Sequence, residues 1–78
     1  MGNARPRPKH LAAKLLQIRR TLNLTQPQLA KALGLADYNL ISKYELDKNE
    51  PPLHVLLAYA RLAGIPLESI VDDELQVT

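Results

Sequence analysis

Apolar residues recur with a helical period along most of the chain. Leu11, Leu15, Ile18 and Leu22 fall at i, i+4, i+7 and i+11, which is one stripe of an amphipathic helix, with Lys14, Arg19 and Arg20 off it. Asn23 is the expected end of this first helix, because asparagine tolerates the left-handed conformation that closes a helix. Residues 1–9 show no such period. Pro6 and Pro8 alternate there with Arg5, Arg7 and Lys9, a pattern that favours an extended arm over a helix.

Thr25 opens the best-marked boundary. Its hydroxyl is placed to accept the Gln28 N–H while the Gln28 side chain accepts the Thr25 N–H, a capping box. Leu24 and Leu29 are spaced for the accompanying hydrophobic staple. Pro27 is harmless in the first turn, where amides lack an intrahelical acceptor. This second helix is expected to reach Leu33 and to stop at Gly34, which adopts positive φ without a Cβ penalty.

A third helix is predicted from Tyr38 to Glu45, capped by Asp37, with Ile41 and Tyr44 on its inner face. The polar, proline-containing stretch from Leu46 to Pro52 reads as a loop. A fourth helix carries Leu53, Leu56, Leu57 and Ala60 at i, i+3, i+4 and i+7, with Tyr59 half-buried and Gly64 as its stop. A short fifth helix runs from Leu67 to Val71 after Pro66. No repeat and no useful strand-like alternation appears. The expected fold is all-α, a compact bundle of about five helices around a central helix-turn-helix. Its layout is an arm over residues 1–9, a domain over 10–71 and an acidic tail over 72–78.

Composition narrows the function. Seventy-eight residues suffice for one domain and bury too little surface for a second core or a deep substrate cleft. With no Phe or Trp, the core must be aliphatic. The absence of cysteine excludes disulfides and thiol chemistry and points to the cytoplasm. No apolar run approaches the roughly 18 residues that span a bilayer. His10 and His54 have no ligand partner at metal-binding spacing, so neither a metal nor another cofactor is expected. Asp72, Asp73 and Glu74 read as a solvated tail rather than a catalytic pair, and no enzyme motif is present.

Net charge is only +2, but it is unevenly distributed. Arg5, Arg7, Lys9, Lys14, Arg19, Arg20 and Lys31 all precede the first acid, Asp37, whereas Glu68, Asp72, Asp73 and Glu74 crowd the far end. A basic half of this kind attracts a phosphate backbone.

The run Gln26-Pro27-Gln28-Leu29-Ala30-Lys31-Ala32-Leu33-Gly34, followed by Ile41-Ser42-Lys43-Tyr44-Glu45, resembles the lambda-repressor-like (Cro and XRE) helix-turn-helix family. The resemblance rests on Ala30 where helices meet, Gly34 in the turn, Ile41 and Tyr44 as anchors, and the Pro-Leu start of the fourth helix; it covers about residues 10–71. It implies a DNA-binding domain whose third helix enters the major groove. Tyr38, Asn39, Ser42 and Lys43 would then face bases: asparagine pairs with adenine, lysine with guanine, and the tyrosine hydroxyl reaches a base or a phosphate. Gln26, Arg19, Lys48 and the arm residues Arg5 and Arg7 would face phosphate. Arg19 and Glu45 stand where relatives pair an arginine of helix one with the end of the recognition helix.

Two departures accompany the resemblance. The turn between Gly34 and Ile41 is one residue longer than is usual, and Leu46 and Asp47 replace the common basic residue and glycine after Glu45. Leu46 removes the phosphate contact of that basic residue, Asp47 adds an acid at the glycine position, and Lys48 partly compensates. The expected function is a sequence-specific regulator of transcription, a repressor or antitoxin-like autoregulator. It would occupy a two-fold operator on double-stranded DNA as a weak homodimer formed on that DNA, in the cytoplasm and on the nucleoid when bound. Leu67, Ile70 and Val71 of helix five, with Leu46, are the expected pairing surface. The alternative is a protein-interaction module on the same fold, without sequence-specific DNA binding.

Overall fold

The computed structural model describes residues 8–77, so Arg5, Arg7 and most of the expected arm lie outside the described residues. The described chain forms five helices and no strands: α1 (Leu11–Thr21), α2 (Gln26–Leu33), α3 (Asn39–Glu45), α4 (Leu53–Ala63) and α5 (Leu67–Val71). Helix α1 packs against α3, α4 and α5, while α2 packs against α3 and α4. Every helix contributes to one aliphatic core with two tyrosines in it, from Leu15 and Ile18 through Leu29, Ile41, Tyr44, Leu56 and Tyr59 to Ile70.

The short connections follow from how the helices end. In α1, α2, α3 and α4 a residue with positive φ follows the helix: Asn23, Gly34, Asp47 and Gly64, at 60°, 77°, 60° and 69°. In each, the next amide reaches five residues back, as in Leu24 N–H to Arg19 C=O and Leu35 N–H to Ala30 C=O. Lys48 N–H to Lys43 C=O and Ile65 N–H to Ala60 C=O complete the set. This closure satisfies carbonyls that the helix leaves open and reverses the chain at once. Leu24, Leu35 and Ile65 tuck against the core after three of these turns. After α3 the corresponding residue is Lys48, which is exposed.

The capping box of α2 forms in full, with Thr25 Oγ1 accepting Gln28 N–H at 3.2 Å and Gln28 Oε1 accepting Thr25 N–H at 2.9 Å. Helix α3 begins one residue later than predicted. Tyr38 has helical φ and ψ but precedes the first α-helical turn. The Asp37 carboxylate nonetheless accepts the Asn39 N–H at 2.9 Å, and Leu40 N–H closes on Asp37 C=O at 3.2 Å, a tight i→i+3 entry.

Helix α4 faces the core differently from the expected register. Leu53 is 63% exposed, whereas Val55 and Tyr59 join Leu56 and Ala60 inside; Tyr59 is fully buried rather than half-buried. The chain beyond α5 also departs from a free acidic tail. Both oxygens of Asp73 accept backbone N–H groups, of Lys9 at 3.0 Å and His10 at 3.1 Å. Lys14, expected on the solvent side, is 6% exposed because its Nζ donates to the Ser69 and Asp72 carbonyls at the end of α5.

Candidate nucleic-acid interface

Helix α3 turns Ile41 and Tyr44 into the core, both almost fully buried. At 100° per residue, this leaves Asn39 and Lys43, spaced i and i+4, on one outward face, and both are exposed. Tyr38 at the entrance to the helix is 51% exposed, and Ser42 is half-buried beside them. The face therefore offers an amide, an ammonium and a phenol from a helix too short to hold its own angle.

That angle is held from outside. Arg19 of α1 donates through Nε to Glu45 Oε2 at 2.7 Å and through Nη2 to Glu45 Oε1 at 3.1 Å, and its Nη1 donates to the Leu24 carbonyl at 3.0 Å. Gln26, the first residue of α2, adds Nε2 to Glu45 Oε1 at 3.1 Å. The Glu45 side chain, at 5% exposure, is thus an acceptor shared by α1 and α2 at the last residue of α3. The hydrogen bond to Glu45 raises the Arg19 guanidinium above its ordinary pKa, so the cation stays fully charged. Beneath this network Tyr59 and Tyr44 are both held neutral, burial pushing each phenol above its usual range.

Two of the expected phosphate-contact residues are thus brought together by geometry: Gln26 touches the Arg19–Glu45 pair, a link for which spacing gave no signal. Lys48 lies just beyond, exposed in the α3–α4 loop, beside Asp47. Leu46 is 62% exposed and Leu53, nearby in sequence, is also exposed, whereas Ile70 is fully buried in its own core and offers nothing to a second copy. His10 and His54 are exposed, and no group of three or more potential metal ligands occurs among the described residues. No described helix is long and apolar enough to cross a membrane.

A rigidly mounted two-helix unit, with a second helix whose polar face is free, defines a helix-turn-helix protein. The family described as the helix-turn-helix domain matches residues 12–74, and the chain belongs to that family, within its lambda-repressor-like (XRE) group. This is a domain type of DNA-binding regulators rather than an enzyme class. No curated protein and no solved structure matches the chain.

Proposed function

We propose that the chain is a sequence-specific DNA-binding regulator of transcription, a repressor or antitoxin-like autoregulator that occupies a two-fold operator through α3. The observation that carries this reading is the contrast between the two faces of α3. One is locked by Ile41, Tyr44 and the Glu45 network; the other presents Tyr38, Asn39 and Lys43 with Ser42 at their edge. Base edges are read by the outer face. Gln26, Arg19 and Lys48 contact phosphate beside it, and Arg5 and Arg7 add charge from the arm.

One module of this size makes too few contacts for tight specific binding, so two copies act on half-sites about one helical turn apart. The exposed Leu46 after α3 and the half-buried Leu67 and Val71 of α5 are the apolar side chains that such weak pairing would use. Pairing occurs on DNA, in the cytoplasm. The test is selection of bound sequences from a random duplex pool. Enrichment of a palindromic site supports the reading; a pool that stays random contradicts it and favours a protein-interaction module.

A further inference from the structure

The carboxylate of Asp37 is pinned beside the outward face of α3. Its Oδ1 accepts the backbone N–H of Asn39 at 2.9 Å, and the Asp37 carbonyl accepts Leu40 N–H at 3.2 Å. Asp37 is exposed, as are Tyr38 and Asn39, the next two residues. One carboxylate oxygen is thus engaged by the helix entry, and its hydrogen bond fixes the group against Asn39. The other, Oδ2, accepts no hydrogen bond among the described residues.

Whatever meets Asn39 also meets this oxygen, and an ionised carboxylate is selective about its partners. It accepts hydrogen bonds and donates none. A phosphate oxygen repels it, so Asp37 cannot help to hold the DNA backbone. Among base edges in the major groove, guanine and thymine offer only acceptors, and adenine sets its N7 acceptor beside its amino group. Cytosine offers the N4 amino group alone.

We propose that Asp37 is a specificity-determining residue of the DNA site, its Oδ2 accepting from the N4 amino group of a cytosine in the part of the operator that Asn39 faces. The inference rests on the base-reading role given to α3 in the proposed function. One oxygen then starts the helix while the other reads the sequence, so capping and recognition come from a single side chain. The same acid discriminates by repulsion: where no amino group meets it, it faces only the negative potential of the duplex.

The test compares the full chain with Asp37→Asn. Asparagine keeps the Oδ1 cap, while an amide NH2 takes the place of Oδ2. Sites are selected from a random duplex pool for both chains, and both are titrated with the original chain's selected duplex and with a scrambled one. Thermal unfolding verifies that each is folded at the binding temperature. Asp37→Asn is expected to bind the selected duplex about tenfold more weakly. It should bind the scrambled duplex more tightly, because a negative charge is gone. Its own selected site should carry thymine, whose O4 is an acceptor, in place of one cytosine, and match the original site elsewhere. Tighter binding to both duplexes overturns the proposal and leaves Asp37 as a cap alone. If the original chain enriches no site, the proposed function falls and takes this inference with it; if it enriches a site that Asp37→Asn selects unchanged, only the role of Asp37 is overturned.

Discussion

Arg19 and Glu45 join α1 to the last residue of α3 through two parallel hydrogen bonds, of 2.7 and 3.1 Å, across 26 residues of sequence. Two planar groups meeting in this way fix orientation as well as distance. The pair lies between two regimes, since Glu45 is nearly buried and Arg19 is 19% exposed. An exposed pair is worth little, and breaking a buried one is severe.

Arg19→Ala is accordingly expected to destabilise the fold by about 2 kcal/mol, measured by chemical denaturation. Arg19→Lys should recover only part of this, because an ammonium cannot reproduce the two-pronged contact. Equal stability of the lysine and original chains would show that charge alone matters.

The entry to α3 gives a second expectation. Asp37 accepts the Asn39 N–H, so Asp37→Ala should cost about 1 kcal/mol, whereas Ala36→Ser should change little. Denaturation midpoints that move equally for both substitutions would contradict Asp37 as the capping group.

Asp73 makes a pH prediction whose sign follows from its partners. Hydrogen bonds from the Lys9 and His10 backbone hold its carboxyl below the ordinary 3.8. The folded state thus binds the proton less readily than the unfolded one, and the clasp stabilises fully above the ordinary value. Its contribution is lost as pH falls through the lowered one. Asp73→Ala should lower Tm at neutral pH and flatten the decline of Tm on acidification below about pH 4. Parallel Tm profiles for the two chains would show that the clasp contributes nothing.

Much of this fold was legible because its signals are local. Thr25 with Gln28 specifies a helix start within four residues, and Asn23, Gly34 and Gly64 each mark a reversal through their own backbone preference. The resemblance to the helix-turn-helix family drew on the same compact signals. What could not be read was long-range. Leu53, Val55, Leu56, Leu57, Tyr59 and Ala60 make α4 apolar almost all round, so period alone could not choose between Leu53 and Tyr59 for the core. Lys14 and Asp73 looked solvated because their partners are backbone groups 55 to 64 residues away. Gln26 bonding to Glu45 depends on how two helices cross. The role of Ile70 shifted for the same reason, since a residue on a five-residue helix is core or interface according to what packs over it.

The most direct measurement is affinity as a function of salt, for the selected duplex and a scrambled one, with the original chain, Asn39→Ala and Lys43→Ala. Both residues sit on the exposed face of α3. Each substitution is expected to cost about 1–3 kcal/mol on the selected duplex and to flatten preference at particular base positions, with little change on the scrambled one. Gln26→Ala should weaken binding to both duplexes without altering the salt slope, and removal of Arg5 and Arg7 should reduce that slope by up to about one unit each. Equal losses on both duplexes for Asn39→Ala and Lys43→Ala would contradict base reading by α3, and unchanged binding in every variant would place the interface elsewhere on the molecule.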